Sequence, residues 1–130
     1  MDEQEKLTNE IAHIAKQTGF NDQLLLKDYY LTHLLYAIRN IPEAYFKGGT
    51  ALNKIFLDHA RLSEDIDFTV RNLAQATKYV YKQLPTLPFI HNVTTGKNTP
   101  GFIRIICHYK TFSNEDETIY IVSSSLLNVL

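Results

Sequence analysis

The chain has 130 residues, of which 45% are hydrophobic and 21% charged, with 13 basic against 14 acidic side chains and a formal charge of −1. That composition excludes a disordered or fibrous protein, the length excludes two independent catalytic domains, and the balanced charge excludes a global field drawing the chain to nucleic acid or anionic membrane. Cys107 is the single cysteine, which excludes an internal disulfide and reads as a small buried hydrophobe in a reducing compartment.

The N-terminal residues 1–6 are charged and no long apolar stretch follows, so neither a signal peptide nor a membrane span is expected and the cytoplasm is the expected location. Leu7, Ile11, Ile14 and Ala15 recur at helical spacing ahead of Gly19, which predicts a helix over residues 4–17. Asn21 or Asp22 can cap a second helix reaching Arg39. Its apolar stripe is Leu24, Leu31, Leu34, Leu35 and Ile38, widened by Tyr29, Tyr30 and Tyr36, and Asn40 and Pro42 end it.

A short apolar run over residues 44–47 stops at Gly48 and Gly49, which reads as strand and then turn. Thr50 can cap a following helix whose inner face is Ala51, Leu52, Ile55 and Phe56, ending near Asp58. Residues 65–70 alternate strictly between polar and apolar, the period of a half-buried strand, so Asp65 and Asp67 should point the same way. Asn72 caps a helix of about a dozen residues with Leu73, Ala76, Val80 and Leu84 inward, closed by Pro85. Strands are expected over residues 89–94 and 102–109, joined by a turn over 96–101, and again over 118–123. Glu115, Asp116 and Glu117 fall in the intervening hairpin loop as an exposed acidic turn, and residues 124–130 look like the start of another helix. The order predicts an α+β fold, a mixed β-sheet with packed helices, as one domain over residues 1–130.

Two carboxylates two residues apart on a strand are close enough to share a divalent cation, and oxygen ligands of this kind suit Mg²⁺, which takes one or two carboxylates together with substrate phosphate oxygens. Asp65 and Asp67 are therefore the candidate metal ligands. Gly48, Gly49 and Thr50 at a helix N-terminus offer backbone N–H groups and the positive end of the helix dipole to a phosphate. Ser63 adds a hydroxyl, and Lys47, Lys54 and Arg61 are nearby cations for a triphosphate, Arg61 foremost because it shares a loop with Ser63. Either element alone has a bland reading, a solvated strand face or a conformational bend. In this order they could seat an NTP so that phosphoryl or nucleotidyl transfer can proceed. Histidines 13, 33, 59, 91 and 108 show no metal spacing.

The stretch Phe46-Lys47-Gly48-Gly49-Thr50-Ala51-Leu52, followed by Arg61-Leu62-Ser63-Glu64-Asp65-Ile66-Asp67-Phe68, resembles the signature of AbiEii-type nucleotidyltransferase toxins, within the DNA polymerase β-like superfamily. Lys27 to Leu35 resembles the helix that precedes this signature, so the likeness covers roughly residues 24–70. The resemblance implies a polymerase β-like core and Mg²⁺-dependent transfer of nucleotides from NTP to an acceptor, with tRNA the favoured acceptor. It also implies service as the toxin of a toxin-antitoxin or abortive-infection pair, with a cognate antitoxin. By position it assigns Gly48, Gly49 and Thr50 to phosphate, Asp65 and Asp67 to metal, and Ser63 to the hydroxyl just before them. Two features depart from the pattern. The strand over 102–109, where a third carboxylate is expected, presents Arg104, Ile106 and His108. The downstream helical Lys and Arg-Asp motifs do not occur before Leu130, which reads as the N-terminal portion of a longer protein. A truncated or degenerate module acting through a protein partner, and a kinase-like phosphotransferase, therefore stand as alternatives.

Overall fold

The computed structural model describes residues 2–46 and 65–126. Among the described residues there are three α-helices and a five-stranded mixed sheet, and the fold is α+β. Helix α1 spans Glu3–Thr18, α2 Asp22–Ala37 and α3 Leu73–Gln83. The strands are β1 Ala44–Phe46, β2 Ile66–Val70, β3 Ile90–Thr99, β4 Phe102–Lys110 and β5 Asp116–Ser125.

Local chemistry sets the helix ends. The Asp2 carboxylate accepts from the Glu5 N–H at 2.7 Å to start α1, and Gly19, at φ 78°, closes it by donating its N–H to the Ala15 carbonyl. Asn21 caps α2 and Asn72 caps α3, accepting from the Gln75 N–H at 3.0 Å. Pro85 lies in a single 3-10 turn, Leu84–Thr86, that ends the third helix. Helix α2 stops two residues short of the expected Arg39, because Ile38 turns into the core as its fully buried cap. The expected stripe on α2 is also narrower: Leu24 is 37% exposed, and Tyr36 is 65% exposed with the Arg39 guanidinium 3.7 Å from its ring centroid. No helix among the described residues is long and apolar enough to cross a membrane.

The sheet order is β1-β2-β5-β4-β3. β1 runs antiparallel to β2, placing Phe46 opposite Phe68, while β2 and β5 are parallel, with Asp67 opposite Val122. A parallel pair needs a crossover. Here the crossover is α3 followed by the β3–β4 hairpin, so β5 returns between β2 and β4. One sheet face, formed by Ile66, Phe68, Val70, Ile103, Ile105, Cys107, Tyr109, Ile119 and Ile121, packs on Tyr30, Leu31, Leu34 and Ile38 of α2 and on Ala76 and Val80 of α3. Burying each of these large side chains contributes on the order of 1.5–3 kcal/mol, which holds the helices to this face.

The hairpin corrects the expected strand boundaries. The turn is only Pro100-Gly101, since Lys97, Asn98 and Thr99 pair with Arg104, Ile103 and Phe102. Proline's fixed φ and Gly101 at φ 79° suit so tight a reversal. Gly96 lies at a register shift between Thr95 and Lys97, and a Cβ there would sit 3.0 Å from Ile106 Cδ1. Asp116 and Glu117 likewise belong to β5, opposite Lys110 and Tyr109, rather than to the loop. Ser124 and Ser125, expected to begin a helix, are the last residues of β5.

Candidate functional site

Alternation along β2 sends Ile66, Phe68 and Val70 into the helix-packed core and Asp67 and Thr69 to the second face of the sheet. Asp67 is half-buried there, with Oδ1 shielded from solvent. Asp65 is exposed at the bend just before β2, one position earlier than the strand itself begins. The strand that was expected to carry both carboxylates thus carries one, with the other at its entrance.

Lys47, Gly48, Gly49, Thr50, Lys54, Arg61 and Ser63, and the helix expected after Thr50, lie outside the described residues. So does His59. The described structure places what flanks them: β1 ends at Phe46, opposite Phe68 and one position along β2 from Asp67.

Register across the sheet identifies the neighbours of Asp67 on the second face. Its row runs through Val122 of β5 and Arg104 of β4 to Lys97 of β3. The row on one side is Thr69, Ser124, Phe102 and Thr99; on the other side Tyr120 lies opposite Ile106, which lies opposite Thr94. Strand spacing of about 4.8 Å puts the Arg104 backbone about 10 Å from that of Asp67. The Arg104 guanidinium lies 5.5 Å from the Tyr120 ring centroid, and Tyr120 is 40% exposed. Tyr30 and Tyr109 are buried packing groups, but Tyr120 stands on the second face with a cation over it. The signal was present in the alternation Thr118, Tyr120, Val122.

No carboxylate occupies the neighbouring positions on β4 or β5. Asp116, at the far end of β5, faces His91 Nε2 at 3.5 Å and Lys110 Nζ at 3.6 Å. His108 shares a hydrogen bond of 2.9 Å with Thr94 Oγ1. Among the described residues no group of three or more His, Cys, Asp or Glu side chains could hold a metal ion. Two carboxylates, one half-buried and one exposed, fit a cation of the Mg²⁺ class that completes its shell with water and phosphate oxygens.

Burial tunes other groups away from this face. The Cys107 thiol is buried beneath the helices, which pushes its pKa up to about 12 and makes it the inert hydrophobe expected. Desolvation raises the phenols of Tyr109 and Tyr30 above their ordinary value.

Comparison with known proteins extends this picture. The family profile described as "Nucleotidyl transferase AbiEii toxin, Type IV TA system" matches residues 30–111. Among solved structures, JHP933 from Helicobacter pylori superposes with a TM-score of 0.64 at 23% identity, over 82% of this chain and 46% of that one. MenT4, a nucleotidyltransferase toxin from Mycobacterium tuberculosis, superposes with a TM-score of 0.56 at 18% identity, over 88% of this chain and 42% of that one. This chain therefore spans less than half the length of these structures, and the likeness is one of fold. No curated protein sequence matches it. With over half of its residues inside the profile, the chain belongs to the AbiEii nucleotidyl transferase toxin family of type IV toxin-antitoxin systems.

Proposed function

We propose that this chain carries the nucleotide- and metal-binding half of a Mg²⁺-dependent nucleotidyltransferase that moves nucleotides from an NTP to an RNA acceptor, with tRNA the favoured one. In this reading it serves as the toxin of a toxin-antitoxin or abortive-infection pair held in check by a cognate antitoxin. The observation that carries the reading is the placement of Asp67: half-buried on the sheet face away from the helices, one position along β2 from the residue paired with the end of β1. Only Lys47 separates that end of β1 from the Gly48-Gly49-Thr50 stretch.

Asp65 and Asp67 would hold the Mg²⁺. When bound, the ion neutralises phosphate charge and orients the triphosphate. The chain's own groups do the rest. Backbone N–H groups of Gly48 and Gly49 and the hydroxyls of Thr50 and Ser63 bind phosphate oxygens, and Lys47 and Arg61 balance the charge of the tail.

Titration calorimetry with Mg²⁺ and each NTP checks the site: binding heat is expected, and it should vanish in the Asp65→Ala, Asp67→Ala double variant. Heat that survives both substitutions places the nucleotide elsewhere. Incubation with labelled NTP and total tRNA tests transfer, since a nucleotidyltransferase leaves nucleotide on the RNA and a kinase-like enzyme leaves only phosphate.

One observation favours a second reading, a non-catalytic module of the same fold working through a protein partner. On β4 and β5 the positions facing the same way as Asp67 and nearest to it hold Phe102, Arg104, Ile106 and His108 and then Thr118, Tyr120, Val122 and Ser124, and the one acid of that face on these strands, Asp116, stands at the far end of β5 beside His91 and Lys110. Nucleotide binding without any transfer of label would select it.

A further inference from the structure

The second face of the sheet carries more than the acid. Two cation-aromatic pairs run across it: Arg104 over Tyr120, at 5.5 Å, and Lys97 over Phe102, at 5.7 Å. Arg104 is opposite Lys97 on the adjacent strand, so the two pairs form one band leading away from Asp67 along its own row. From β5 to β3 that band covers two strand spacings, about 10 Å, and Asp67 lies one spacing beyond it on β2.

Neither cation has a carboxylate partner among the described residues, whereas Lys110 and His91, farther along the face, share Asp116. Arg104 Nε is shielded from solvent and has no hydrogen-bond acceptor among the described residues. A guanidinium with no carboxylate beside it is a ready charge-assisted donor to a phosphate oxygen. Tyr120 and Lys97 are exposed, so a ligand can reach the band.

We propose that Lys97, Phe102, Arg104 and Tyr120 form the surface on which a single-stranded RNA acceptor lies as its end approaches the acid pair. This rests on the nucleotidyl transfer reading above. Cations track a phosphate backbone and aromatic faces stack its bases without demanding a sequence. Two such pairs in a band about 10 Å long, with the acid one strand farther on, suit an extended strand better than one mononucleotide. Thr99 and Ser124 flank Phe102 in its row and provide hydroxyls within reach of a ribose 2′-OH, the group that separates RNA from DNA.

Fluorescence anisotropy of the 130-residue chain with a short fluorescein-labelled oligouridine, in the absence of Mg²⁺ and NTP, tests the surface. Arg104→Gln and Tyr120→Ala should each weaken binding by about tenfold. Lys97→Ala, at an exposed position where folding is not at stake, should lower the slope of log affinity against log salt by about 0.7. The deoxy strand should bind less tightly than the RNA. Affinity unchanged in all three variants, or equal affinity for the deoxy strand, overturns the proposal. So does poly-L-glutamate that binds at this face through Lys97 and Arg104 but independently of Tyr120, since that pattern denotes an acidic polypeptide. Loss of Mg²⁺-dependent NTP binding with the RNA results as expected would instead remove only the underlying reading.

Discussion

Replacing Tyr30 with phenylalanine deletes one oxygen from the edge of the core. Tyr30 lies on α2 and is 4% exposed, and its hydroxyl accepts the backbone N–H of Phe112 at 2.8 Å across 82 residues of sequence. Its ring packs edge-on to Phe89 and tilted against Tyr109, both at 4.9 Å. Tyr30→Phe keeps these ring contacts and leaves the Phe112 N–H without its acceptor. A net hydrogen bond is worth about 0.5–1.5 kcal/mol, and stranding a buried donor costs about 1–3 kcal/mol. Removing the hydroxyl's own desolvation offsets part of this, so a loss of about 1–2 kcal/mol is expected. Tyr30→Ala, which also opens a cavity among Phe89, Tyr109 and Tyr29, should cost about 3–5 kcal/mol. Urea denaturation followed by far-UV circular dichroism reads both values, with the slope unchanged if the denatured state is unaffected. Indistinguishable midpoints for Tyr30→Phe and the parent would refute the claim that this bond ties α2 to the segment after β4.

Alkaline pH should lower the stability of the protein. Cys107, Tyr30 and Tyr109 all have folded pKa values raised by burial, so the folded state holds their protons more tightly than the unfolded chain does. Their stabilisation is complete below the unfolded thiol value of 9.0 and is lost progressively as pH rises past 9.0 for the thiol and past 10.0 for the phenols. Melting temperature measured between neutral pH and pH 11 should fall, and Cys107→Ala should remove the earliest part of the decline; a flat profile counts against burial of these groups. Gly19→Ala forces an L side chain into the left-handed region at φ 78° with open space around it, and should cost about 1 kcal/mol through the backbone alone. Asn72→Ala should cost about 1 kcal/mol by freeing the Gln75 N–H, and Asn72→Asp or Asn72→Ser should restore most of it. Thermal unfolding measures both, and equal losses in Asn72→Ala and Asn72→Ser would dismiss the cap.

Local chemistry alone was enough to place a helix over about residues 4–17 that stops at Gly19, to make Asn72 the cap of α3, and to give Ile66, Phe68 and Val70 one buried face, while the Asp2 cap emerged only from the structure. Caps, left-handed glycines and two-residue alternation act within a few residues, so they are visible along the chain. The pairing of Asp65-Ile66-Asp67 with a Gly-Gly-Thr turn was legible for the same reason, as a motif of fixed spacing. What the tertiary structure decided was non-local. The parallel return of β5 beside β2 set which side chains stand in the row of Asp67. Ladder hydrogen bonds extended β3 to Thr99 and drew Asp116 and Glu117 into β5, against their turn-like composition. Arg104 and Tyr120 have no sequence relation to Asp67; only the strand order, fixed by burying one face of the sheet under α2 and α3, brings the three onto the other.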